Sequence, residues 1–109
     1  MLELFPRQIA VLERLASLGF AIVEFPLYAS AVGVRRGDCA ALISPVGHDG
    51  FQLFGDPCYL VMGKLSVRVH RSRREWFVWK TNQIEATPQR LAELQAFGRA
   101  LADALAAHV

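Results

Sequence analysis

The residues best suited to molecular recognition are concentrated in the stretch RVHRSRREWFVWK, Arg68 to Lys80. It contains five arginines and lysines, one histidine and three aromatic residues. Aromatic rings stack on unpaired bases and arginines contact phosphates, so these residue types are compatible with binding of single-stranded nucleic acid. The residues of such a site are Arg68, Arg71, Arg73, Arg74, Phe77 and Trp79. Their spacing matches no RNP-like pattern, KH-type loop, zinc finger or helix-turn-helix.

Positive charge is local to this part of the chain. Residues 64–80 carry a net charge of +5, whereas the remainder carries −3 and the whole chain +2. A net charge this small indicates a patch rather than a strongly basic protein.

The same stretch also has the residue pattern of a β-hairpin. Pairing Val69 with Trp76 puts alternate residues on one face, because side chains alternate along a strand and cross-strand partners share a face. We expect the core face to consist of Leu65, Val67, Val69, Trp76 and Val78. The opposite face then consists of Ser66, Arg68, His70, Glu75, Phe77 and Trp79. In this structural interpretation, which we favour, Phe77 and Trp79 lie under a helix or in an interface, and residues 71–74 form a solvated tip.

Other chemically capable residues form weaker patterns. His48 and Asp49 are adjacent in the loop PVGHDG, but Asp before Gly is typical of a turn, and neighbouring residues in an extended chain point apart. Cys39, His48, Cys58 and His70 are zinc-ligand types at gaps of eight, nine and eleven residues, much wider than the usual two to five. We therefore predict no metal and no cofactor. No serine lies in a nucleophile elbow, which leaves no sequence basis for assigning catalysis.

Helical patterns occur at the two ends of the chain. Residues 5–18 predict a helix with Pro6 in its first turn and Gly19 as its stop. A longer C-terminal helix is predicted from Thr87 as N-cap and Pro88 at the first position. Its apolar face is formed by Leu91, Leu94, Leu101 and Leu105, which we predict to be an interface.

Between the helices, short apolar runs alternate with turn residues. Strands are predicted in FAIVEF, SAVGVRR, CAALIS, FQLF, CYLVM, LSVRVH and EWFVWK. Gly37 and Asp38 mark one hairpin tip. The order predicts a single α+β domain, residues 1–109, in which an antiparallel meander of six or seven strands is packed by the two amphipathic helices.

Composition limits the class of protein. A chain of 109 residues can bury one core, yet 53% of its residues are hydrophobic, which favours a sheet covered on both faces or a homo-oligomer. No apolar run is long enough to span a membrane, and Glu3 lies where a signal peptide carries basic residues. We therefore expect a cytoplasmic protein in which Cys39 and Cys58 are reduced thiols, bridged only if their strands are neighbours.

Three functional classes remain open. We favour a non-catalytic protein-interaction domain, with a homodimer as one form of it. The first alternative is single-stranded nucleic-acid binding through Arg68–Lys80. The second is a small-ligand pocket between the sheet and the C-terminal helix, near His48, Cys58 and Tyr59.

Overall fold

The computed structural model describes residues 3–106, except for the side chain of Leu27. The predicted domain, residues 1–109, extends beyond both ends of this range. An N-terminal and a longer C-terminal helix flank nine strands in the described residues. Every strand pair is antiparallel, so the predicted α+β class is confirmed.

Both helices begin as their sequences indicate. Helix α1 spans Pro6–Ser17, and α2 spans Pro88–Ala106. The Thr87 side-chain oxygen accepts a hydrogen bond from the Arg90 backbone N–H at 3.2 Å, so Thr87 is the N-cap of α2. Gly19, with φ of +94°, follows the end of α1 in a conformation that favours glycine.

Six strands form the main sheet. They are β1 (Ala21–Val23), β2 (Val32–Arg36), β3 (Cys39–Val46), β4 (Gly50–Leu53), β5 (Cys58–Val61) and β6 (Lys64–Leu65). A single 3-10 turn, Pro26–Tyr28, separates β1 from β2. The first five predicted strands match β1 to β5 to within three residues at each end.

The main sheet departs from a simple meander at β3. This eight-residue strand pairs with β2, and also with both β4 and β5. Residues 43–46 pair with β4, whereas residues 39 and 40 pair with β5. A long strand can take two short partners end to end, which a prediction from consecutive hairpins does not anticipate.

Three further strands form a second sheet in the order β7 (Val67–Arg71), β8 (Arg74–Trp79) and β9 (Asn82–Glu85). Only Ser66 separates β6 from β7. Strand β9 is absent from the sequence prediction because its residues, NQIE, include a single apolar side chain.

One cluster of buried side chains joins both helices and both sheets. Its most buried members include Leu15 of α1, Ile43 of β3, Phe77 of β8 and Leu101 of α2. A hydrogen bond also joins the two helices: the Arg14 guanidinium donates to the carbonyl of Ala104, in the last turn of α2, at 2.7 Å. Arg14 is therefore half-buried.

Candidate binding site

The predicted hairpin forms with the predicted register. Val69 pairs with Trp76, Arg68 with Phe77, and His70 with Glu75. The tip is a two-residue turn in which Ser72 and Arg73 both have positive φ, as a type I′ hairpin turn requires.

Phe77 is buried, as the favoured structural interpretation expects, whereas the predicted core face of this hairpin is not fully buried. Phe77, on the predicted second face, is 1% exposed and stacks on Tyr59 of β5 at 4.8 Å between ring centroids. Val67, on the predicted core face, is 63% exposed, and Val69, Trp76 and Val78 are only partly buried. Consecutive apolar residues in β8 supply both faces, so alternation alone does not show which face is buried.

The burial of Phe77 bears on the nucleic-acid prediction. The buried ring of Phe77 does not present a face to a base. The Trp79 ring is half-buried and has the Lys80 ammonium 4.9 Å and the Lys64 ammonium 6.0 Å from its centroid. Two cations over one ring act as intramolecular partners of the kind that stabilise a fold. The two residues do not form a stacking surface.

The arginines of the hairpin are exposed and engaged locally. Arg71 donates to the Gln83 side chain, and Arg74 lies 3.8 Å from the Glu85 carboxylate. Arg68 lies 4.0 Å from the Glu75 carboxylate. Exposed ion pairs contribute little to stability, so these side chains can exchange partners at small energetic cost.

A groove lies between α2, the second sheet and β5, and we name it the α2–β7 groove. Its volume is about 1050 Å³, and it is open to solvent. It is lined by Asp56, Pro57, Cys58, Tyr59, Ser66, Val67, Arg68, Phe77, Leu91, Leu94, Gln95, Gly98 and Arg99. The sequence predicted a cavity near Cys58 and Tyr59 at this place; His48 is not part of its lining.

Buried groups form part of the groove wall. The Ser66 hydroxyl donates to the Tyr59 carbonyl at 2.5 Å, and the Tyr59 hydroxyl lies 3.4 Å from a Glu93 carboxylate oxygen. Burial, reinforced by the carboxylates of Glu93 and Asp38, raises the pKa of Tyr59. Tyr59 therefore remains a neutral phenol at physiological pH.

The four predicted interface leucines divide into two pairs. Leu91 and Leu94 line the groove and are partly buried. Leu101 is completely buried and Leu105 partly buried in the core, so neither of them lines the groove. Leu101 has no exposed surface in the described chain, because that turn of α2 packs on the sheets.

Arg99 and Gln95 are groove residues that the sequence reasoning missed. They follow Leu91 and Leu94 at helical spacing, since positions 91, 94, 95, 98 and 99 lie on one side of α2. That spacing was the signal that could have identified them. The described residues offer Arg99 no hydrogen bond or ion pair.

The remaining predicted positions lie apart from the groove. The His48 ring meets the Phe5 ring edge to face at 4.2 Å, and Asp49 lies 3.9 Å from the Arg7 guanidinium. Both contacts attach the β3–β4 loop to the start of α1. Across residues 3–106, no three His, Cys, Asp or Glu side chains cluster in a way that could hold a metal ion.

Both cysteines are free thiols on neighbouring strands. Cys39 pairs with Tyr59 and Ala40 pairs with Cys58, so the two thiols project from opposite faces of the sheet. Cys39 is buried, and burial together with Glu93 and Asp38 raises its pKa to about 11. Cys58 is partly exposed in the groove, and burial followed by the Asp56 carboxylate raises its pKa.

A smaller cavity of about 450 Å³ lies between α1, β1 and the 3-10 turn. Its lining is apolar except for Glu24 and Tyr28. Ligand sites usually combine an apolar wall with several converging polar groups, and the α2–β7 groove has more of them.

No family model matches the chain, and no curated protein or solved structure matches it significantly. Neither helix of the described range has the length and apolar character needed to cross a membrane.

Proposed function

We propose that this chain is a non-catalytic protein-interaction domain and that the α2–β7 groove is its contact surface. The observation that carries the proposal is the open groove of about 1050 Å³, whose walls combine apolar side chains with two arginines. Protein interfaces similarly combine an apolar centre with a polar rim, and arginine is enriched in them relative to the rest of the protein surface.

The apolar side chains in the groove give a partner a source of binding energy. Leu91 and Leu94 are only partly buried in the free chain, and Val67 is 63% exposed. Covering apolar surface is favourable by roughly 25 cal/mol for each Å² removed from water. A partner that inserts apolar side chains here gains this energy.

The size of the groove favours a segment of polypeptide over a small molecule. Small-ligand sites enclose most of the ligand in roughly 300 to 1000 Å³. This groove lies just above that range and is open to solvent, so it would leave part of a small ligand in solvent. A peptide segment tolerates such exposure because only alternate side chains need burial.

The proposal includes a reducing, cytoplasmic location. Cys39 and Cys58 are unpaired because their side chains point to opposite faces of the sheet, and a reducing compartment would keep both thiols reduced. A second copy of the chain is one protein that could supply the bound segment, so the oligomeric state forms part of the test.

The test is selection of peptides from a phage-displayed library of random dodecapeptides, followed by affinity measurement with fluorescently labelled synthetic peptides. The groove is blocked by Gln95→Trp, an exposed residue of the groove wall. The matched control is Gln89→Trp, an exposed glutamine of the same helix outside the groove. We expect micromolar binding to wild type and control, and at least tenfold weaker binding to Gln95→Trp.

The proposal is wrong if no peptide is enriched, or if selected peptides bind Gln95→Trp as tightly as wild type. Light scattering on the same three proteins tests self-association. A dimer that only Gln95→Trp converts to a monomer would identify the partner as a second copy and would still support the groove as the contact surface.

A further inference from the structure

The edge strand β7 has unsatisfied pairing capacity beside the groove. Among residues 3–106, β8 is its only hydrogen-bonded neighbour, so the second edge of β7 carries unpaired backbone N–H and C=O groups. Val67 and Arg68, the first two residues of β7, line the groove. Exposed edges of this kind are templates for pairing with another extended chain.

The opposite wall is a helix whose backbone groups are already paired internally. Leu91 and Leu94 of α2 supply apolar side chains to the groove. A bound helix would cover the edge of β7 while leaving its backbone groups without partners, which is unfavourable once water is excluded. A bound strand would pair with those groups and direct alternate side chains toward the two leucines.

The charges of the groove lining favour a bound segment that carries acidic residues. Arg68 and Arg99 line the groove, against a single acidic residue, Asp56. The ion pair of Arg68 with Glu75 is long and exposed, and Arg99 has no partner in the described part of the chain. Carboxylates on the bound segment would therefore meet two arginines that can reorient toward them.

On the basis of the proposed function, we infer that the occupant is an extended segment of a partner protein with alternating apolar and acidic residues, which adds to β7 as the fourth strand of the second sheet. Its apolar side chains contact Leu91 and Leu94, and its carboxylates pair with Arg68 and Arg99. Backbone pairing determines the conformation of the segment, and the arginines determine its charge.

The deciding experiment uses the tightest dodecapeptide from the library selection, synthesised in two N-methylated forms. One form is methylated at the odd-numbered amides of its central six residues, and the other at the even-numbered amides. In a strand, the backbone groups of successive residues point to opposite edges, so only one set faces β7. We expect at least a tenfold loss of affinity for one form and less than threefold for the other.

A helical occupant gives a different result, because every amide of a central helical segment donates within the helix, and both forms would then bind weakly. Equal loss, or no loss, for the two forms would overturn the strand inference while leaving the groove proposal intact. Failure to select any peptide would instead remove the groove proposal itself.

Charge is tested by Arg99→Glu, with Arg7→Glu on the exposed side of α1 as the control for net charge. We expect the selected peptides to be acidic and to bind Arg99→Glu at least fivefold more weakly, while Arg7→Glu changes affinity less than twofold. Equal effects of the two substitutions would refute specific pairing. Displacement of the peptide by a mixed twelve-nucleotide single-stranded DNA at similar concentrations would favour nucleic acid over a protein segment and would overturn the inference.

Discussion

The side chain of Gln8 is a sensitive point of the structure, and its removal gives a quantitative prediction. Gln8 is completely buried in the first turn of α1. Its amide nitrogen donates to the carbonyls of Gly47 and Gly50 at 3.1 and 3.2 Å, and its amide oxygen accepts from the Phe5 N–H at 3.0 Å. One side chain therefore joins the start of α1 to both ends of the β3–β4 loop.

Gln8→Ala removes three hydrogen bonds, each worth roughly 1 kcal/mol net. All three bonds are partly buried, so the groups left without a partner are more costly than they would be at a fully exposed site. We expect a loss of about 3 kcal/mol in the free energy of unfolding. That is a large share of the roughly 5 to 15 kcal/mol typical of a domain.

The assay is urea unfolding followed by tryptophan fluorescence, compared at equal m-value. Gln8→Glu adds a second measurement, because a carboxylate cannot donate to either carbonyl, and we expect it to be at least as destabilising as alanine at neutral pH. Gln89→Ala, an exposed glutamine in α2, is the control and should change stability by less than about 0.5 kcal/mol. A loss below about 1 kcal/mol for Gln8→Ala would refute the reasoning.

Three further predictions concern packing, titration and recognition. Gly33→Ala should lower the free energy of unfolding by about 1 to 3 kcal/mol, because the added Cβ would lie 2.6 Å from the Val23 carbonyl oxygen. The control is Gly50→Ala, whose Cβ would meet no neighbour within 4 Å and which should be nearly neutral in the same urea assay. The free energy of unfolding should fall as pH rises from about 9 toward 11, because the Cys39 thiol has a pKa near 9.0 in the unfolded chain and near 11 in the folded one. Cys39→Ala should make this fall with pH less steep, and an unchanged pH dependence would contradict the burial argument. Tryptophan emission should not change when single-stranded oligonucleotide is added, because Phe77 is buried and lysines cover Trp79; salt-sensitive quenching would restore the nucleic-acid alternative.

Local signals account for what the sequence predicted well. Pro88 after Thr87 identifies the start of α2, because this cap and first position depend only on neighbouring backbone groups. The Val69–Trp76 register is likewise local, since a two-residue turn determines which residues face each other. Cysteine pairing depends on more than strand adjacency, and only the register shows that the two thiols point to opposite faces.

The groove depends on contacts that are distant in the chain. Arg68 and Arg99 lie on elements separated by β8 and β9, and no sequence spacing relates them. Arg99 shares helical spacing with Leu91, so the sequence could indicate a common helix side but not what that side faces. The candidate site was therefore predictable as separate parts, and its assembly was not.

The sequence by itself determined the α+β class, the two helices, the hairpin and its register, because each follows from periodicity, caps and turns within a few residues. Tertiary structure decided which face of that hairpin is buried. Apolar side chains occur on both faces of β8, and the stacking of Phe77 on Tyr59 selects one of them. The same packing leaves Val67 exposed in the wall of the groove that we propose as a binding surface.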